Sequence, residues 1–319
     1  MALRSPAVDS PALVRAALEG RRTSLGEVTF QIFLLITLLA ALLVLAVLLV
    51  DVAAGALPVF AERGWDFIAS PLSLDPDSAG VRTAVLGSLG LTAVVVVVSF
   101  PIGIGAAIYL AEYAPDNRFT RFVDTNIRNL AGVPSIVYGL LALGLFVPLV
   151  AAVGLGGPPG VDGRNLIAGG LALAVLVLPI VIITSSEALR AVPAELRQAG
   201  YAVGATQWEV IRHHVLPAAA PGILTGTVLT LARAFGETAP LLLVGVTTGY
   251  FQAAAGAGVM ERITGSYTAL PVTVLSWSRQ PGGGFQEHLA PAAIVVLLAV
   301  LLGANAAAIV LRNRYDKRW

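Results

Sequence analysis

The sequence contains no cysteine. Disulfides, thiolate nucleophiles, iron–sulfur clusters and Cys-based zinc sites are therefore excluded. Lysine is nearly as scarce. Nineteen of the twenty basic residues are arginine, and the single lysine is Lys317. A Walker A loop needs a Gly-rich turn followed by Lys and then Ser or Thr. Lys317 sits in Asp316-Lys317-Arg318, so the chain does not grip ATP in that way. Charge of both signs is short as well: 12% of the 319 residues are charged, 57% are hydrophobic, and mean hydropathy is +0.84. A soluble chain carries about 25% charged and about 45–50% apolar residues. Half the usual charge does not cover a soluble body of this size. A soluble enzyme, a disordered chain and a nucleic-acid binder with a basic face are all excluded, and the bilayer is the solvent that fits. The net charge of +1 says nothing about partners.

What is present is a series of long apolar runs. A spanning helix needs about 20 mostly apolar residues. Charge-free runs occupy 28–50, 83–111, 129–161, 165–186, 215–232, 238–260 and 289–311. The first exceeds the roughly 7–15 residues of a signal-peptide core and reads as an uncleaved span. Only Arg233 and Glu237 separate the fifth run from the sixth. Arginine placement decides between one span and two there. One set of connections holds Arg4, Arg15, Arg21, Arg22, Arg118, Arg121, Arg128, Arg190, Arg197, Arg212, Arg312, Arg314, Lys317 and Arg318. The other holds only Arg63, Arg82, Arg164, Arg262 and Arg279. By the positive-inside rule both termini are cytoplasmic, so the number of crossings is even. Val215–Gly245 is then one span with Arg233 and Glu237 inside it.

The chain reads as an all-α, polytopic membrane protein with six transmembrane helices. Residues 1–27 form a cytoplasmic tail, with a short helix marked by Ser10-Pro11 and Gly20. Residues 28–50 are the first span and 51–82 an extracytoplasmic loop. Residues 83–311 carry the other five spans, and 312–319 are a cytoplasmic tail. Residues 247–288 form a long outer loop. Its Tyr267–Trp277 part suits the membrane surface, and its Pro281-Gly282-Gly283-Gly284 stretch suits a turn. Gly103, Gly105, Gly169 and Gly170 permit close helix approach.

The connection Glu187–Pro217 is the most specific local signal. Pro193 suits a first helical turn. Leu196, Ala199, Gly200 and Val203 follow at helical spacing, and Gly204 ends the helix. Thr206-Gln207-Trp208-Glu209 has the pattern of a capping box and starts a second short helix. Pro217 marks the start of the next span. Two short helices meeting at a glycine, with a small-residue face, make a knuckle over 194–214 that fits a groove in a partner. A loop lying on the membrane fits the same pattern equally well. His213 and His214 adjoin it. Adjacent residues do not share a helical face and no acidic cluster accompanies them, so they read as solvated or headgroup-contacting. Ser185-Ser186-Glu187 reads as the end of span four, with no base at hand to make a nucleophile.

This loop resembles the cytoplasmic signature of ABC-importer permeases, roughly Glu-Ala-Ala, three residues, Gly, nine residues, Ile, one residue, Leu-Pro. Ala199, Gly204, Leu216 and Pro217 match. Gln198, Gly200 and His214 depart from it, and Gln198 removes a carboxylate that would meet the ATPase. Further stretches narrow the resemblance. They are AEYAP (111–115), NLAGVPSIVYGL (129–140), ARAFGETAPLLLVG (232–245) and ALPVTVLSWS (269–278). Together they are similar to the PstA-type permease subunit of the phosphate-specific (Pst) ABC importer. The Gly-Glu-Thr-Ala-Pro run is the most discriminating.

Arg233 and Glu237 are the charges that topology leaves unexplained. A charged group at a helix centre costs about 2.5–3.5 kcal/mol on insertion scales. Spaced i and i+4, the two share a helix face. A buried ion pair that fixes helix packing is one reading. A polar path is the other. A guanidinium fork suits phosphate oxygens, and an ionised carboxylate accepts only. Glu237 would therefore accept a hydrogen bond from a P–OH group, which sulfate lacks near neutral pH. Thr238 adds a hydroxyl, and Pro240 kinks the helix. Ser135 and Tyr138 of span three are further candidates for that path, although local bonding of Ser135 and packing of Tyr138 account for them as well.

The resemblance implies a type I ABC-importer permease fold and inward transport of inorganic phosphate, with no chemistry performed by this chain. It implies that ATP and Mg are bound by a PstB-type ATPase dimer, with no cofactor in this chain. Gln198, Ala199, Gly200, Gly204, Trp208, Leu216 and Pro217 would couple to that dimer. A PstC-type permease would complete the pore, and a PstS-type extracytoplasmic protein would deliver phosphate. The setting implied is the bacterial plasma (inner) membrane. The same machine for sulfate or molybdate, or a membrane scaffold or sensor without transport, are the alternatives.

Overall fold

The structure is a computed structural model and describes residues 25–246, 258–280 and 283–315. The short helix expected near 10–20 lies outside these residues. Residues 1–51 and 52–319 form two compact units.

The described part of the first unit is a stretch of one helix, α1 (Leu25–Glu62). Every residue from 25 to 51 is exposed. An apolar helix without a polar face, left uncovered, suits a lipid surround. In the second unit α1 continues to Glu62, so the loop expected from residue 51 starts a dozen residues later. The reason is compositional: Val52–Phe60 is apolar, and Ala56 and Val59 are drawn into a core with Phe67, Trp277 and Phe285. Phe67 stacks edge-on against Phe60, with ring centroids 5.9 Å apart.

The second unit continues with α2 (Trp65–Ala69), α3 (Arg82–Ile108), α4 (Arg118–Ala131), α5 (Ser135–Leu141), α6 (Val147–Val150), α7 (Leu166–Arg190), α8 (Ala194–Ala202), α9 (Gln207–Val210), α10 (Leu216–Gly236), α11 (Ala239–Val244), α12 (Val259–Thr264), α13 (Leu270–Trp277) and α14 (Ala290–Tyr315). Single π-helical turns extend several of these: Tyr109–Tyr113 after α3, Ile211–Val215 before α10, and Gly284–Leu289 before α14. No strand occurs among the described residues. Among the described residues six helices are long and apolar enough to cross a membrane, the number that the charge-free runs and the arginine placement together predict.

Helix α7 is the centre of the second unit, with two-thirds of its apolar window buried. It packs against α3 and α10. Small residues allow this. A Cβ on Gly170 would sit 2.6 Å from Val94, one on Gly103 2.7 Å from Val181, and one on Gly222 2.8 Å from Ala188. Gly105, by contrast, has no neighbour. Ser99 Oγ donates to the Ala174 carbonyl at 2.8 Å, satisfying a buried hydroxyl between α3 and α7.

The outer-loop segment expected on the membrane surface is instead core. Tyr267, Ala269, Leu270, Val272 and Trp277 are buried, and Leu270 N–H donates to Ser88 Oγ at 2.8 Å. Its apolar, β-branched composition reflects burial inside the protein. Gly283 and Gly284 are helical rather than a turn, and the π turn before α14 starts at Gly284.

Candidate functional site: a broken fifth span and a clamped corner

The fifth span does not run through to Gly245. Helix α10 stops at Gly236, and Glu237 is extended with φ −77° and ψ 125°. The chain resumes as α11, with Pro240 in its first turn. Proline offers no N–H to the residue four back, and its ring clashes with that carbonyl. Four back from Pro240 is Gly236, where α10 ends. The expected kink is therefore a full break. Gly139 of α5 makes room for it, because a Cβ there would meet Pro240 Cα at 2.7 Å.

Arg233 occupies the last turn of α10 and Glu237 the residue that caps it. Arg233 Nε lies 3.4 Å from Glu237 Oε1. The pair forms across the helix end rather than along one continuous face. A cation in the last helical turn also suits the negative end of the helix dipole. Glu237 is mostly enclosed, its side chain 17% exposed, whereas the Arg233 side chain is 47% exposed. Thr238 is half-buried beside the pair, and Ser135 is half-buried in the first turn of α5. Tyr138 is buried at 6%, and its hydroxyl donates to the Leu130 carbonyl at 2.7 Å. Its proton is thus committed to the backbone, and the side chain backs the site rather than opening onto it. From the break, α11 runs to Gly245, which caps it at φ +95° under the stem of Arg164.

The loop after α7 has the two short helices that the spacing predicts. Pro193 is the N-cap of α8, one position before its first turn. Gly204, at φ +84°, turns the corner with open space where a Cβ would be. Thr206 and Glu209 form the capping box of α9: Thr206 N–H donates to Glu209 Oε2 at 2.8 Å, and Glu209 N–H donates back to Thr206 Oγ1. These bonds, the Thr206 backbone N–H first, hold the Glu209 carboxyl below its ordinary range. Gly200 turns inward onto Val210, while Gln198 and Ala199 are exposed. Val203 is 83% and Trp208 52% exposed. The small-residue face therefore divides: Gly200 packs the two helices together, and Val203 points out. Leu216 packs with Ala107, Leu189 and Val215, which anchors the corner to the ends of three spans. Pro217 lies in the first turn of α10. His213 and His214 are exposed, and His213 Nδ1 lies 3.2 Å from the Glu209 carbonyl.

One cluster here escapes sequence reasoning. Glu112, in the π turn after α3, forms a two-pronged ion pair with Arg197 of α8. Arg197 Nε donates to Oε2 at 3.2 Å and Nη2 to Oε1 at 2.6 Å. Glu112 is 6% and Arg197 21% exposed. The carboxylate raises the Arg197 guanidinium above its already high range. Eighty-five positions separate the two residues, and no local spacing links them.

Comparison with known proteins bears on the family and the fold. Residues 99–319 match the family model described as the binding-protein-dependent transport system inner membrane component. The chain is 32% identical over 306 residues to the phosphate transport system permease protein PstA 1 of Mycobacterium tuberculosis, covering 95% of each chain. It is 34% identical to the probable ABC transporter permease protein YqgI of Bacillus subtilis and 37% identical to YqgH of the same organism. It spans only 60% and 55% of the length of these two relatives. Among solved structures, the methionine ABC transporter MetNI in an inward-facing conformation is similar in fold, with a TM-score of 0.55 at 20% identity. That match covers 74% of this chain and 96% of the other.

Proposed function

Since the chain belongs to the family of inner membrane components of binding-protein-dependent transport systems, we propose that it is the PstA-type permease subunit of an ATP-driven importer of inorganic phosphate. The relatives named as PstA support the phosphate assignment. The observation that carries it is Arg233. An arginine in a membrane span with about half its side chain open does not face lipid, because intramembrane charges face bundle interiors or watery cavities. It needs a polar path or a partner chain, and a second permease of PstC type supplies both. Phosphate oxygens match its planar fork of donors.

Glu237 then acts as the selector. It is mostly enclosed, tied to Arg233, and accepts a P–OH proton that sulfate does not have. Thr238 and Ser135 complete the polar path, with Tyr138 behind it. The broken helix puts this machinery at an irregular backbone segment, which membranes tolerate where it lines a cavity.

The excess of arginine on one set of connections supports cytoplasmic termini, and the setting is the bacterial plasma (inner) membrane. A PstB-type ATPase dimer binds ATP and Mg and grips the corner through Gln198, Ala199, Gly200, Gly204, Trp208, Leu216 and Pro217. A PstS-type protein delivers phosphate from the other side. The chain itself does no chemistry.

Two variants test this in a reconstituted complex. Arg233→Ala should reduce ATP-driven uptake of labelled phosphate to background. Glu237→Gln should retain uptake but discriminate less against sulfate. A hydrogen bond to a charged group is worth about 1.5–3 kcal/mol, so the loss should be about ten-fold or more. Wild-type uptake by the Arg233 variant would refute the assignment.

A further inference from the structure

Four chain segments meet at Glu112. It lies in the π turn that extends α3. Arg197 of α8 grips both of its carboxylate oxygens. The same guanidinium donates to the Leu189 carbonyl at 2.9 Å and, through Nη1, to the Val192 carbonyl at 2.8 Å, so it also closes the end of α7. Gln207, the first residue of α9, donates from Nε2 to the Glu112 backbone carbonyl at 2.6 Å. The end of span two, the end of span four and both short helices of the corner are thus tied together through Glu112 and Arg197.

The other ion pairs on this side are of a different kind. Arg121–Asp116 is 69% and 86% exposed, and Arg128–Asp124 is 43% and 30% exposed. Open pairs of this sort carry little. The Glu112–Arg197 pair is enclosed and two-pronged, so its geometry is fixed. Its Glu112 lies within one π turn, Tyr109–Tyr113 on span two, and a second, Ile211–Val215, leads into span five. Such turns are local faults in the helical hydrogen-bond ladder, often at functional positions.

We propose that Glu112, Arg197 and Gln207 form a clamp that positions the coupling corner and passes its motion to spans two and four together. Span five receives that motion directly, because α9 leads into it. The matching positions of the ABC-permease signature do not include these three residues. Gln198, which stands where the signature has a carboxylate, lies exposed beside Arg197, and the inward-facing carboxylate of this corner comes from span two instead. The clamp rests on the transport reading above, with Glu112, Arg197 and Gln207 as positioning residues that touch neither phosphate nor ATP.

The test is Glu112→Gln in the full complex reconstituted into liposomes, with phosphate moved per ATP hydrolysed as the readout. The complex should assemble and hydrolyse ATP, while the ratio falls by about five-fold or more, the low end of an allosteric coupling. A purely structural role would lower uptake and hydrolysis together and leave the ratio unchanged, which overturns the proposal. Should Glu112→Gln not assemble, Gln207→Ala keeps the buried pair and removes one tether. It should lower the same ratio by a smaller amount, and an unchanged ratio again overturns the clamp. A wild-type complex that moves no phosphate would defeat the transport reading instead. The clamp then has its own readout, because the chain has no cysteine of its own. Spin labels at Ile102→Cys and Leu229→Cys, both exposed on spans two and five, should keep their separation on ATP binding with the clamp intact. That separation should change or broaden on ATP binding with Glu112→Gln. Equal behaviour in both contradicts the proposal.

Discussion

Gly204 and Glu209 show how single residues shape the corner. Gly204 needs φ +84°, a conformation that costs an L-residue about 1–2 kcal/mol. No atom lies near where its Cβ would be, so the cost is conformational rather than steric. Gly204→Asn should therefore be tolerated better than Gly204→Ala, and Gly204→Val least, in thermal unfolding of the purified protein. Equal melting points would contradict this. Glu209 gives a pH prediction. Its ordinary carboxyl value is 4.5, and the capping box lowers it in the folded state. The box contribution is fully present above 4.5 and is lost as pH falls through the lower folded value. A carboxyl-carbon NMR titration of Glu209 should give a midpoint below 4.5, and a midpoint at or above it would contradict the box.

At the scale of elements, glycine contacts and the proline break carry the arrangement. Gly170→Val should force α7 away from α3, since its Cβ alone would approach Val94 to 2.6 Å. Overpacking of this kind costs about 1–3 kcal/mol, readable as a lower melting temperature. Gly105→Ala, in open space within α3, is the control and should melt at or slightly above the wild type. The elements differ in how legible they were. The spans were legible because a bilayer demands long charge-free runs. The capping box was legible because Thr206 and Glu209 are three apart. The break at Glu237 was half legible. Pro240 announced a kink, but the room for a complete break came from Gly139, about a hundred positions away in the chain. The buried helix Leu270–Trp277 was misplaced because an apolar stretch looks the same whether lipid or protein covers it.

At the scale of the whole molecule, low charge set the class, arginine placement set the number of spans, and one charged pair was left over. The structure changes what that pair means. Arg233 and Glu237 meet at a helix end in the fifth span, with the arginine half open and the carboxylate mostly enclosed. The Glu112–Arg197 clamp was not legible at all, because only the fold brings those two residues together. Under the proposed function, phosphate crosses this chain along a path held by Arg233. The most direct measurement is ATP-dependent uptake of labelled phosphate by liposomes holding this chain, a PstC-type permease, the ATPase dimer and the binding protein. Uptake should appear with this chain, vanish without it, and fall to background with Arg233→Ala while ATP binding persists. Phosphate uptake that is unchanged by Arg233→Ala, or that occurs without this chain, would rule that path out.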